Sequence, residues 1–201
     1  MIKNIIFDIG NVLTAFQWNK KFQNTGYPQD ILKRVAQATV LSDMWKEYDR
    51  GVLTESELMD AFIRHDPEME PFIRGCVGNY LGMLQTYDYT TPWIRSLKKN
   101  GYGVYYLSNM PEIAERDCTE ALDFVKETDG GIMSWSVRMV KPDAAIYQLL
   151  LERYGLKAEE CVFLDDSEKN VEAARKVGMY GIVFCDKEQA CEELRRLGVD
   201  G

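Results

Sequence analysis

Four short runs in this chain are apolar at consecutive positions: residues 4–8 (NIIFD), 103–108 (GVYYLS), 161–165 (CVFLD) and 180–185 (YGIVFC). A strand that buries one face alternates apolar with polar residues. Unbroken runs bounded by Gly, Asp or Ser belong instead to strands covered on both faces, as in a parallel sheet between two layers of helices. Helical patterns with readable ends lie between the runs. Thr91-Pro92 opens one and Gly101 follows its close, while DAAIYQLLLERYG carries an apolar face and ends at Gly155. Alternating strand and helix predicts an α/β fold with a doubly wound parallel sheet. IMSW, residues 132–135, is a weaker candidate for one more strand.

Residues 15–89 have a different texture, with helical patterns and no convincing strand. Thr54 and Glu57 have capping-box spacing ahead of Leu58, Met59, Phe62 and Ile63, an apolar pair repeated four residues on. A helical insertion is therefore expected at 15–89, splitting a core domain made of 1–14 and 90–201. At 201 residues the chain suits one compact domain with such an insertion.

Charge narrows the partners. With 24 Lys+Arg against 32 Asp+Glu the formal net charge is -8, the wrong sign for tracking nucleic acid or anionic lipid. The opening MIKNIIFD is too short in apolar length for a secretory segment. No later run approaches the roughly 18 apolar residues of a membrane span, so a soluble cytoplasmic protein is expected. Five cysteines without a CxxC pair point to reduced, buried thiols.

In an open parallel sheet, ligands bind outside the carboxyl ends of the strands. Three runs here end in polar residues: Asp8, then Ser108-Asn109, then Asp165-Asp166, with Lys141 in the intervening loop VKPD. Taken singly, each has an ordinary reading as a turn residue, a helix cap, a strand-end hydroxyl or a solvated lysine. Together they predict one crevice. Three carboxylates cannot crowd there unpaired without one taking up a proton, and a divalent cation resolves this. All-oxygen ligation favours magnesium, which takes one or two carboxylates and a substrate phosphate. Lys141 and Ser108 would then face the other side of a phosphoryl group.

These residues resemble the motifs of the haloacid dehalogenase-like hydrolase superfamily: FDIGNVL the first, LSN the second, Lys141 before Pro142 the third, FLDDSEKN the fourth, in order along the whole chain. The helical insertion resembles the family's cap, and the spellings point to its sugar-phosphatase-like branch. The resemblance implies a magnesium-dependent phosphatase acting on a small phosphorylated metabolite. Asp8 would be the nucleophile, attacking phosphorus to give an aspartyl-phosphate that water hydrolyses. It further implies magnesium held by Asp8, the carbonyl of Gly10 and Asp166, with Asp165 acting through water and Asn170 orienting Asp166. Ser108, Asn109 and Lys141 would bind phosphoryl oxygens.

One position departs from the pattern. Family phosphatases carry a second aspartate two residues after the nucleophile, as general acid and then base, where this chain has Gly10. General acid–base catalysis contributes about 10²–10⁴ in rate. Either the substrate leaves with little protonation, as an anomeric sugar phosphate does, or water or a cap residue substitutes. Asn11 is either an amide donor to the site or a turn residue. Phe16 and Trp18 are close enough in sequence to line the cleft, whereas Trp45 reads as core, and His65 as a helix end. Two rivals stay open. A metal-free dehalogenase would not need the Asp165-Asp166 pair, and a phosphate- or partner-binding protein without turnover would explain Gly10.

Overall fold

The computed structural model describes residues 1–200. Its five-stranded sheet is built from β1 (Asn4–Phe7), β4 (Gly103–Ser108), β5 (Gly130–Met133), β6 (Cys161–Asp165) and β7 (Tyr180–Val183). The strand order is β5-β4-β1-β6-β7 and every pairing is parallel. The first strand in sequence is thus the central one, and the winding reverses direction across it. Successive side chains of β1 point to opposite faces. Ile5 and Phe7 enter one buried cluster, with Trp93, Ile94 and Leu97 of α6 (Thr90–Lys99) and Ala190 and Leu194 of α10 (Lys187–Arg196). Ile6 enters the other, with Ile146, Tyr147 and Leu150 of α8 (Ala144–Tyr154) and Ala174 of α9 (Glu168–Lys176). Burial on both faces is what the consecutive apolar residues predicted.

Between β1 and α6 the chain runs through five helices: α1 (Trp18–Gln23), α2 (Gln29–Ala38), α3 (Met44–Arg50), α4 (Glu55–His65) and α5 (Glu70–Val77). The Thr54–Glu57 capping box forms with both reciprocal bonds, and His65 is the last residue of α4. The expectation of no strand in this stretch needs correcting. β2 (Thr14–Phe16) and β3 (Leu84–Thr86) pair antiparallel, one on each flank of the helices. At three residues each they are too short to show any periodicity. The remaining helix, α7 (Glu112–Asp117), follows β4.

Some boundaries also move. β7 stops at Val183, two residues short of the apolar run, because the chain turns there into α10. The expected strand at 132–135 lies at 130–133 and breaks into a 3₁₀ turn at Ser134–Ser136. Gly130 and Gly131, poor strand formers, hid its start. All five cysteines are free thiols. Among the described residues no helix is long and apolar enough to cross a membrane.

Candidate active site

Asp8 stands one residue beyond β1 at the reversal of the winding. Its N–H donates to Leu164 O (2.8 Å), so the ladder fixes its backbone, while its Oδ1 accepts from the Ile9 N–H (2.7 Å). The turn that follows is tightly tied: Leu13 and Thr14 N–H both reach Ile9 O (2.9 Å each), and Tyr89 Oη and Thr90 Oγ1 donate to Val12 O and Leu13 O (2.7 and 2.6 Å).

Lys141 reaches this point from its loop with its side chain 1% exposed. Its Nζ lies 2.8 Å from Asp8 Oδ1 and 2.6 Å from Asp165 Oδ2, above the Phe163 ring. Asp165, fully buried, also accepts from Ser167 N–H (2.8 Å) and Asn170 Nδ2 (3.0 and 3.1 Å to its two oxygens). Asp166 is exposed at the mouth and accepts from Asn11 Nδ2 (2.8 Å). One carboxylate oxygen from each of Asp8, Asp165 and Asp166 lies within 4.8 Å of the others. The ammonium of Lys141 touches two of these acids, Asp8 and Asp165, and leaves Asp166 to the Asn11 amide.

The electrostatics follow from that excess. Burial pushes the Asp8 carboxyl up; Lys141 opposes this and Asp165 adds to it, with the Ser108 hydroxyl also favouring the ionised form. Burial disfavours the charge on Lys141, yet Asp8 and Asp165 outweigh it and raise the lysine. Asp166, though its edge is open to solvent, is raised by partial desolvation against the pull of Asn11. The ammonium stays charged and the shortage of positive charge falls on the acids.

A cavity of about 210 Å³ opens over the cluster, lined on the sheet side by Asp8, Gly10, Asn11, Ser108, Asn109 and Asp166. Phe16, Trp45, Asp49, Tyr80 and Leu84 line its other side. Larger clefts of about 740 and 510 Å³ lie elsewhere; the first gathers Glu115, Glu120, Asp123 and Lys126 and the second Asp30 and Lys33, but all of these are exposed, with no buried ion pair among them.

Most of the expected residues meet here, and some sit differently from the expectation. Asn170 holds Asp165, not Asp166: from the first turn of α9 its amide reaches back to the strand-end carboxylate, which points inward. Asn109 lines the cavity and also ties its side chain to the Lys141 backbone, donating to its carbonyl (3.0 Å) and accepting from its N–H (2.8 Å). Trp18 lies outside the cavity, packing edge-to-face on Phe22 at 5.5 Å and lining the groove between α1 and α2, because α1 turns away after Phe16. Trp45 is core, as expected, but also reaches the cavity. Both readings of Asn11 hold: it occupies the left-handed region at φ 57° and binds Asp166.

Asp49 went unread. The available signal was its spacing, since Trp45 and Asp49 are i and i+4 on α3 and share a face, which sets an acid on an aromatic, buried side. Tyr80, in the loop before β3, carried no such signal.

A family model described as haloacid dehalogenase-like hydrolase matches residues 2–178. The chain belongs to this family. The sesquiterpene phosphatase astK of Aspergillus oryzae is similar to it, 29% identical over 196 residues that cover 97% of this chain and 96% of that one. The drimenol cyclase drtB of Aspergillus calidoustus is 27% identical over 201 residues, and there the chain spans 37% of a longer protein. Among solved structures, the haloacid dehalogenase family enzyme bt-2542 of Bacteroides thetaiotaomicron, in complex with magnesium and inorganic phosphate, aligns with a TM-score of 0.71. The alignment is 24% identical and covers 94% of this chain and 99% of that one. At that identity the likeness speaks for the haloacid dehalogenase-like fold.

Proposed function

We propose that this hydrolase is a magnesium-dependent phosphatase of a small phosphomonoester, working through a phosphoryl group carried on Asp8. The observation that carries the reading is Lys141 bridging Asp8 and Asp165 in a cluster where acids outnumber bases. Hard oxygen donors this close fit magnesium, held by Asp8, the carbonyl of Gly10 and Asp166, with Asp165 acting through water. Bound there, the ion supplies positive charge to the phosphoryl oxygens.

An oxygen of Asp8 attacks phosphorus as the alcohol departs, and water then releases phosphate and the free carboxylate. Lys141 and Ser108 receive the phosphoryl oxygens, and Lys141 also neutralises charge on Asp8. Asn109 and Asn170 hold Lys141 and Asp165 in place, as their hydrogen bonds suit them to do. Residues 15–89 act as the cap and the remainder as the core, with Phe16, Trp45 and Tyr80 against the alcohol. A sugar phosphate suits this wall, one ring face stacking on the aromatic groups. A second reading, a phosphate of an apolar alcohol, is favoured by the shortage of polar groups on that wall and by the name of the astK relative.

Phosphate release from sugar, alkyl and prenyl phosphates, with magnesium and with a chelator, tests the reading. Release is expected with magnesium only. Release from no ester would favour a binding protein, and halide release from 2-haloacids without metal would favour a dehalogenase.

Asn11→Gly gives a narrower check. Glycine keeps the left-handed turn without strain, so the fold should be retained while Asp166 loses its amide donor. Groups that orient a metal's ligands are worth about 10–100-fold in affinity or activity. The magnesium concentration for half-maximal rate should rise by about that factor, measured by titration.

A further inference from the structure

Position 10 raises a question of space before one of chemistry. A Cβ built on Gly10 meets nothing within 4 Å, and its φ lies outside the left-handed region. Glycine is therefore not sterically required where relatives with the fuller motif carry an acid. The cavity nonetheless is lined by one carboxylate outside the cluster, that of Asp49.

We propose that Asp49 is the proton donor to the departing alcohol and then the base for the attacking water, the task left open by Gly10. Asp49 is 8% exposed, and among the described residues its carboxyl enters no hydrogen bond or ion pair, feeling only burial and the charges of Asp8 and Lys141. A buried carboxyl without a protein partner is costly unless something else compensates, and here its only outlet is the cavity. Its neighbour Arg50 turns elsewhere, to Glu47 (3.4 Å) and Asp143 (3.5 Å).

The backbone beneath Asp49 is fixed to the core. Its carbonyl accepts from Ser134 Oγ, which also accepts from Met110 N–H (2.9 Å). Two residues on, Gly51 closes α3 at φ 69°, where a Cβ would come within 3.0 Å of the Trp135 backbone. This close approach seats the end of α3 against the core beside β5. The backbone that carries the acid is thus fixed at Asp49 and at Gly51. Burial pushes the Asp49 carboxyl up to about 8, with Asp8 adding to the rise and Lys141 opposing it, which agrees with a group that carries a proton at neutral pH.

The inference rests on the phosphatase reading above. In the first half, the Asp8 oxygen–phosphorus bond forms and the phosphorus–alkoxide bond breaks, while the Asp49 proton passes to the alkoxide. In the second, water gives its proton to the Asp49 carboxylate as its oxygen bonds phosphorus. The bond to Asp8 then breaks, inorganic phosphate leaves, and Asp49 is again neutral.

Asp49→Asn keeps the shape and removes the transferable proton. It should be assayed at saturating magnesium on an alkyl or sugar phosphate and on 4-nitrophenyl phosphate, whose phenol leaves without protonation. The kcat/KM for the alkyl ester should fall by about 10²–10⁴. For the aryl ester it should change by less than about tenfold, with a burst of one nitrophenolate per enzyme as the phosphorylated Asp8 accumulates. The aryl rate also reports that the variant is folded. Equal losses on both esters, or no loss on either, would overturn the role of Asp49 while leaving the phosphatase reading intact. A wild-type protein inert toward both esters would overturn the two together.

Discussion

Asp8→Asn should lose phosphate release by about 10⁵-fold or more, because without a nucleophile only binding and positioning remain. The substitution is nearly isosteric. Asp8 Oδ1 accepts both from Ile9 N–H and from Lys141, so an amide oxygen can keep both contacts. The variant should nevertheless be the more stable protein in the absence of metal. Burial holds Asp8 above its unfolded value, so between those two values the native state binds more protons than the unfolded one. Stability from this group therefore falls as pH rises through that window. An amide has no charge to desolvate, and the gain should be on the order of 2 kcal/mol at neutral pH, shrinking toward pH 4. Thermal melts in chelator across that range, beside phosphate assays, check both halves. An inactive variant with an unchanged or lower melting temperature at pH 7 would refute the charge argument.

Lys141→Met should also be inactive, by about 10³-fold, but with the opposite effect on stability. Its Nζ is the only cation among the buried groups of the cluster, and removing it leaves Asp8 and Asp165 facing each other. Breaking a buried pair in this way costs about 3–5 kcal/mol. Asp8, already raised by burial and now without the opposing lysine, would bind its proton still more tightly in the native state, so the deficit should be largest at neutral to alkaline pH and recover as pH falls. Lys141→Arg should not restore activity, because a planar guanidinium does not replace a compact ammonium in a site this enclosed. The opposed shifts of the two variants, read in the same melts, separate the charge balance of the cluster from any general loss of packing.

The core half of the site was legible because sheet topology brings strand ends together whatever lies between them. Asp8, Ser108, Lys141, Asp165 and Asp166 could be gathered from sequence for that reason. Their division of labour could not. Whether Asn170 holds Asp165 or Asp166 depends on which carboxylate turns inward at the end of β6, and both spacings are open to an amide in the first turn of α9. Asn109 likewise reads as a ligand until the Lys141 backbone is seen against it. On the side of the helical insertion the pattern fails for a different cause. Trp18 and Trp45 are both aromatic residues on short helices, and only the path of the chain after Phe16 decides which faces the cavity. Asp49 lies in a helix whose aromatic positions announce burial, while its charge announces the opposite. Conflict of that kind between local signals marks a functional position more often than a structural one.

The turn after Asp8 has a consequence for how the molecule comes together. Its carbonyls at Val12 and Leu13 are secured by Tyr89 and Thr90, 77 residues downstream in each case. Its supporting strand has no neighbour until residues 103–106 and 161–164 arrive. Contacts this distant in sequence close late, after the entropy of the intervening loop has been overcome. Asp8, the proposed nucleophile, is thus synthesised among the first residues and set in place among the last, so a ribosome-bound fragment ending before residue 161 carries it without its geometry.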